Sequence, residues 1–337
     1  MSDNEKSGNA KRKVFVAYLI PEAGLKLLGG ADGFDVSVWD KESIPTRDEI
    51  AERAKDCEAV ITLLANRVDD ALFAKLPKLR LVAQYAVGYD NVDVAAATKR
   101  GIAVTNTPGV LTETTADMAW ALLMAAARRV CEGDKLVRNG GWRVAWTPLF
   151  MQGVDVYGKT IGIVGMGHIG FAVARRARGF GMKVLYYNRS ENEEADALGA
   201  KRVELDALMR ESDFVSIHAA LTEETRGMIG ERELALMKRT AVLVNTARGA
   251  IVDEKALAHA LKKHRLFAAG LDVFGKEPLP AGSSFIKLDN VVLAPHAASS
   301  SRETRDAMAV IAAQNVMDFF EGKTPRSCVN PEVFKKN

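Results

Sequence analysis

The sequence predicts an α/β protein, and three observations predict it. Short runs rich in Val, Ile and Leu alternate with longer segments of helical period, the pattern of parallel strands joined by crossover helices. A glycine-rich turn, GMGHIG from Gly165 to Gly170, stands between a strand-like run and a helix-like run. The length, 337 residues, suits about two domains.

The elements follow in order. The first thirteen residues are polar and charged with no apolar stretch, and read as a loose tail rather than a secretory signal. Candidate strands are VFVAYLI from Val14, FDVSVW from Phe34, AVITLL from Ala59, LRLVAQYAVG from Leu79 and IAVTN from Ile102. Thr112 to Gly141 reads as one long helix, strongly apolar over its first three turns, and a buried core helix is favoured over a subunit contact. The irregular stretch after it carries Trp142, Trp146 and Phe150 and is too apolar for a solvent linker, so a second domain or another subunit must cover it. A second α/β block opens at Thr160 with TIGIVGMGHIG and continues through KVLYYNRS, FVSIHAAL, AVLVNTARG, AAGLDVFG and VVLAPHAAS. From Arg302 to Gly322 the helical period returns, with Met308, Ile311, Ala312, Val316 and Phe319 on one stripe.

Composition excludes several function classes. Hydrophobic residues make up 48% and charged residues 26%, an ordinary globular balance. A net charge of +3 gives no strong field for nucleic acid or an acidic membrane. The most apolar run, Met118 to Ala127, is about half of what a bilayer span needs. Cys57, Cys131 and Cys328 are odd in number and widely spaced, so neither a disulfide framework nor a metal site is legible, and a reducing compartment such as the cytoplasm fits.

The glycine turn implies a dinucleotide. Gly165 permits the tight turn, Gly167 lets backbone approach a pyrophosphate, Gly170 lets helix and strand pack, and His168 and Ile169 open the helix whose N–H groups would receive the phosphates. The next strand ends in Asn188-Arg189-Ser190, where an NAD enzyme would carry a carboxylate for the ribose 2′-OH. Arg189 pairs with a 2′-phosphate and Ser190 donates to it, which favours NADP(H) over NAD(H), while Asn188 can serve the ribose of either. Three later strand ends carry Arg248, Glu277 and His296. Hydride transfer to a 2-oxo acid needs a cation for the carboxylate and carbonyl, an acid for the developing alkoxide and a partner for that acid; Arg, His and Glu supply them in that order.

These motifs give a resemblance. YAVGYDNVD from Tyr85, TETTADMAWALL from Thr112, GKTIGIVGMGHIG from Gly158, LVNTARGAIVDE from Leu243, AAGLDVFGKEPLP from Ala268 and VVLAPHAAS from Val291 resemble the D-isomer-specific 2-hydroxyacid dehydrogenases, and within them the glyoxylate and hydroxypyruvate reductases. The resemblance covers about Val14 to about Pro331.

It implies two Rossmann-like domains, with the nucleotide-binding domain (107–301) inserted into a discontinuous substrate domain (14–106 plus 302–337) and a cleft that closes on substrate. It implies Arg248, Glu277 and His296 as catalytic residues, with Arg248 and His296 also touching substrate. Val87 and Gly88 would bind the substrate carboxylate through their backbone, Leu64 would line the pocket, and Trp146 would reach a partner's site as a selectivity residue. Thr115, Thr246, Ala247, Arg248, His296, Ala297 and Ala298 match cofactor-lining positions. Asp272 matches a place near the nicotinamide and equally one that merely orders the strand end. A homodimer through the helix and arm at 112–150 is implied, and no metal.

There are departures. His218 lacks the usual following residues and reads as cofactor-adjacent or structural rather than catalytic, and His168 stands where Arg is frequent. The expected reaction is reduction of glyoxylate to glycolate and of hydroxypyruvate to D-glycerate. A dehydrogenase for a longer 2-ketoacid and, more remotely, a nucleotide-sensing co-repressor-like protein remain alternatives at this stage.

Overall fold

In the computed structural model, which describes residues 11–335, the chain forms two units. One comprises the described residues up to Leu111 and from Ser301 onward; the other is Thr112–Ser300. The first division therefore falls after Leu111, later than the boundary at 107 expected from the sequence. Of the expected tail, residues 1–10 lie outside the described residues, while Arg12 and Lys13 are the opening of the first strand.

The first unit runs β1 (Arg12–Val16), α1 (Glu22–Gly29), β2 (Phe34–Val38), α2 (Arg47–Arg53), β3 (Ala59–Thr62), α3 (Asp70–Phe73), β4 (Leu81–Gln84), α4 (Val94–Lys99) and β5 (Ala103–Thr105). Its sheet is parallel in the order β2-β1-β3-β4-β5. The interior strands β3 and β4 are buried at every position, whereas edge strand β2 alternates between exposed and half-buried residues. That contrast is the two-sided burial of a parallel sheet. The apolar runs of the sequence overshoot these strands because the chain stays buried past the strand ends, as at Ala17 and Tyr85.

The last helix of the chain belongs here too. It spans Arg302–Phe320 and crosses α1 so closely that a Cβ on Gly24 would lie 2.5 Å from the Ala309 carbonyl oxygen. Beyond it, the buried Asn330 amide accepts from the Val104 N–H at 2.8 Å and donates to the Ile102 carbonyl and the Thr98 hydroxyl. The C-terminal segment thus satisfies the polar groups around β5.

The second unit runs α5 (Thr112–Ala127), α6 (Val130–Arg138), β6 (Thr160–Val164), α7 (His168–Ala177), β7 (Lys183–Tyr187), α8 (Glu193–Ala197), β8 (Lys201–Arg202), α9 (Leu205–Glu211), β9 (Phe214–Ile217), α10 (Glu231–Leu236), β10 (Val242–Asn245), α11 (Glu254–Lys262), β11 (Ala268–Leu271) and β12 (Val291–Leu293). The final helix of the other unit is then α12. This sheet is also parallel, in the order β12-β11-β10-β9-β6-β7-β8. Succession reverses at β6, between β9 and β7, and in open α/β sheets that switch point at the carboxyl ends is where ligands bind.

The single helix expected over 112–141 is two. α5 ends at Ala127, and Arg129 takes a left-handed backbone with φ of 54°. Returning chain replaces the next helical turn: the Val154 N–H donates to the Ala127 carbonyl at 3.0 Å, and the Arg129 guanidinium is held by both Glu132 oxygens. α5 is half-buried or better along most of its length, while α6 has no buried residue. No helix among the described residues is long and apolar enough to cross a membrane.

Candidate active site

A strand passing straight into a helix leaves the helix's first N–H groups without partners, and α7 has this arrangement after β6. Gly165 sits at φ 95°, and a Cβ there would lie 2.6 Å from the Ala219 nitrogen, because the His218–Ala219 backbone passes directly over it. At Gly170 a Cβ would fall 2.1 Å from the Gly165 carbonyl oxygen. Gly167 differs: it starts α7 without a side-chain cap, and a Cβ on it would meet nothing within 4 Å. Space is therefore left over uncapped N–H groups, and the first turn of α7 carries no acid to repel a phosphate. The Met166 carbonyl is fixed by the Asn192 side-chain amide at 2.8 Å, which ties the turn to α8.

Thr246, after β10, adds a second sign of a ligand. It is buried, and its hydroxyl has no hydrogen-bond partner among the described residues. Ala247 follows with its N–H on the Asn245 side chain, whose amide in turn donates to the Arg248 carbonyl. Thr115 is buried within α5. These groups fit a dinucleotide.

At the end of β7, Asn188 is half-buried while Arg189 and Ser190 are exposed. The Asn188 side chain donates to the Ser190 carbonyl and closes the turn. Arg202, on the edge strand β8, donates to the Asn188 carbonyl at 3.1 Å and to the Arg189 carbonyl at 3.0 Å. The sequence predicts neither β8 nor this arginine. The Glu224 carboxylate, held below its usual range chiefly by the Thr222 hydroxyl, also feels the charge of Arg189.

The residues expected from the sequence to react lie at the other strand ends. His296 Nδ1 and Glu277 Oε2 are 2.6 Å apart, and the other Glu277 oxygen accepts from the Phe274 N–H at 2.9 Å. Burial raises the Glu277 pKa; the His296 and Phe274 hydrogen bonds and the charges of His296 and Arg248 outweigh it, so the carboxyl sits below its ordinary value. Arg248, with Nη1 on the Ala247 carbonyl at 2.7 Å, is therefore close enough to contribute to the same site.

Asp272 sets the histidine. It is fully buried, and three successive N–H groups donate to it: His296 to its carbonyl at 2.8 Å, Ala297 to one carboxylate oxygen at 2.7 Å and Ala298 to the other at 2.8 Å. Burial pushes its carboxyl up, and the two N–H bonds pull against that. His296 itself stands at φ 52°, a left-handed backbone that costs a residue other than glycine about 1–3 kcal/mol. Both carboxylate oxygens are thus committed to backbone, which favours the strand-ordering reading of Asp272.

His218 does not join this group. Burial pushes its ring down to about 3, leaving it neutral, with Nε2 2.8 Å from the Ser216 hydroxyl. His168 opens α7 as an exposed residue, and Ile169 beside it is half-buried. Among the described residues no group of three or more His, Cys, Asp or Glu could hold a metal.

In the first unit, the strand ends carrying Leu64, Val87 and Gly88 are organised by buried and half-buried amides. Thr62 and Gln84 face each other across β3 and β4, and the hydroxyl donates to the Gln84 oxygen at 2.7 Å. Gln84 in turn donates to Asn91 at 2.9 Å and to the Gly88 carbonyl at 3.4 Å, while Asn91 donates to the Leu63 and Asn66 carbonyls. Asn106 holds the Val87 carbonyl at 2.9 Å. Leu64, Val87 and Gly88 are each half-buried. On the arm of the second unit, Trp146 is 82% exposed, with Trp142, Leu149 and Phe150 also exposed.

Comparison with known proteins completes the description. Residues 120–298 match the family described as D-isomer specific 2-hydroxyacid dehydrogenase, NAD binding domain. The chain is 58% identical to a glyoxylate reductase of Korarchaeum cryptofilum over 96% of its own length and 98% of that protein. It superposes on a Thermus thermophilus protein with a TM-score of 0.88 at 43% identity, covering 94% of this chain and 99% of the other. With the NADPH-dependent glyoxylate/hydroxypyruvate reductase of Sinorhizobium meliloti, solved with NADP and malonate, the TM-score is 0.85 at 30% identity, over 97% and 99% of the two chains.

Proposed function

Because the chain belongs to the D-isomer-specific 2-hydroxyacid dehydrogenase family, we propose that it reduces glyoxylate to glycolate and hydroxypyruvate to D-glycerate, using NADPH in preference to NADH. The observation that carries this reading is the Glu277–His296 pair at 2.6 Å with Arg248 beside it, at the strand ends of the unit that bears the glycine turn. The names of the Korarchaeum and Sinorhizobium relatives support the substrate class.

The reduced nicotinamide, when bound, supplies the hydride. Arg248 presents a planar fork that suits the substrate carboxylate and polarises the adjacent carbonyl. His296, with Nδ1 committed to Glu277, has Nε2 to protonate the developing alkoxide, and the ionised Glu277 balances its charge. In the other unit, the backbone of Val87 and Gly88 is the further carboxylate-binding element, with Leu64 a lining residue. Gly165, Gly167, His168, Ile169, Gly170, Thr115, Thr246, Ala247 and Ala298 are assigned to the cofactor, and Asn188, Arg189 and Ser190 to its adenosine ribose and 2′-phosphate.

The exposed aromatics of the arm support a homodimer built through residues 112–150, with Trp146 serving the partner's site. Three free cysteines suit a reducing compartment such as the cytoplasm.

The test is the initial rate with glyoxylate, hydroxypyruvate, pyruvate and 2-ketogluconate, each with NADPH and with NADH. Fast turnover of the two smallest polar ketoacids with NADPH is expected; turnover confined to 2-ketogluconate would reassign the substrate. Arg189→Leu should raise the KM for NADPH at least tenfold more than that for NADH, on the order of one charge-assisted hydrogen bond.

A further inference from the structure

A trans peptide holds its N–H antiparallel to its C=O, so whatever fixes the carbonyl fixes the donor. In the turn after β7, two successive carbonyls, those of Asn188 and Arg189, converge on the single guanidinium of Arg202. The N–H groups of Arg189 and Ser190 therefore point away from Arg202, on one side of the turn. Neither donates to any described residue. Two neighbouring N–H groups turned the same way form an anion-binding concavity. The Asn188 side chain, donating to the Ser190 carbonyl at 3.0 Å, closes the turn, and the residues that carry the two N–H groups, Arg189 and Ser190, are both exposed.

Arg202 reaches this position from outside the turn. It belongs to β8, which pairs Tyr186 with Arg202 in parallel register, and the Val203 N–H on the Tyr186 carbonyl holds that register. Its fork is the only side-chain hydrogen-bond donor to these two carbonyls among the described residues.

We propose that Arg202 is a positioning residue for cofactor choice: by holding the Asn188 and Arg189 carbonyls it turns the Arg189 and Ser190 N–H groups toward the 2′-phosphate of NADPH. This rests on the NADPH reading above. Lysine at 202 keeps the charge but cannot present two fixed donors to two carbonyls, so charge and positioning separate.

The experiment measures kcat and KM of the full-length protein with NADPH and with NADH, at saturating glyoxylate, for the wild type, Arg202→Ala, Arg202→Lys and Arg189→Leu. Both Arg202 variants should raise the KM for NADPH about tenfold, the scale of a lost charge-assisted contact, with kcat and the NADH KM within about twofold of wild type. NADH turnover is the internal check on folding. Wild-type NADPH kinetics in Arg202→Lys would make the residue a mere charge and overturn the proposal; an equal rise in both KM values would make it merely structural and do the same. Failure of the NADPH reading is visible separately: Arg189→Leu would then weaken both cofactors alike, removing the ligand on which the Arg202 assignment stands.

Discussion

The two ends of the second unit to which we assign the reaction and the adenosine are built by opposite means. His296 is held from inside: three consecutive N–H groups terminate on Asp272, which is fully buried, and a left-handed backbone is sustained at the proposed proton donor. The Asn188–Ser190 turn is held from outside, by one exposed arginine on a two-residue edge strand. A buried lock has one arrangement, whereas a solvent-facing clasp yields to small changes at little cost in stability. On the proposed reading the chemistry is therefore the rigid part of this unit and cofactor preference the adjustable part.

Variants break this contrast to different degrees. His296→Gln removes the proton donor and should lower kcat by about 10²–10⁴-fold, with cofactor affinity by fluorescence titration unchanged. Asp272→Asn leaves one of the three N–H acceptors impaired at a buried site; it should cost about 1–3 kcal/mol in thermal or denaturant unfolding and lower kcat more than it raises either KM. A stable Asp272→Asn with full kcat would show that the lock is not needed.

Glu277→Gln sharpens the comparison. The variant replaces the carboxylate 2.6 Å from His296 Nδ1 with a neutral amide and should lower kcat about tenfold or more with little change in the KM for NADPH. In the wild type Glu277 titrates below its ordinary 4.5, so ketoacid reduction should show no loss from Glu277 protonation until the pH drops below that value. The smallest effect is expected at the exposed end. Glu224→Gln removes a carboxylate near Arg189 and should lower the KM for NADPH by less than about threefold, as befits a solvent-screened pair; a larger gain would mean that the turn is less open to solvent than its exposure indicates.

Much of this was legible in the residues. Gly165, Gly167 and Gly170 are spaced as a phosphate turn requires, and Arg248, Glu277 and His296 each follow an apolar run that became β10, β11 or β12. Less legible were features set by contacts distant in sequence. β8 is two charged residues, too short for any periodicity, so Arg202 carried no signal although it organises the turn. Nothing local marks Arg129 as a helix break; the cause is Val154 arriving at the Ala127 carbonyl. The role of Asp272 was undecided because its acceptors serve N–H groups more than twenty residues further along the chain. Gln84 and Asn91 sit in apolar or loop surroundings whose polar wiring only the fold connects.

The packing of α12 against α1, and of Asn330 against the β5 region, also orders events in time. Strands of the first unit leave the ribosome before any of the second, yet the helix that covers α1 and the amide that satisfies Val104 are translated only after the second unit. Residues 112–300 hold a complete sheet of their own and can fold while the earlier strands wait. The first unit is thus completed only after the second has been made, and a chain cut short before Arg302 would keep its nucleotide-binding unit while leaving the other with an uncovered apolar face.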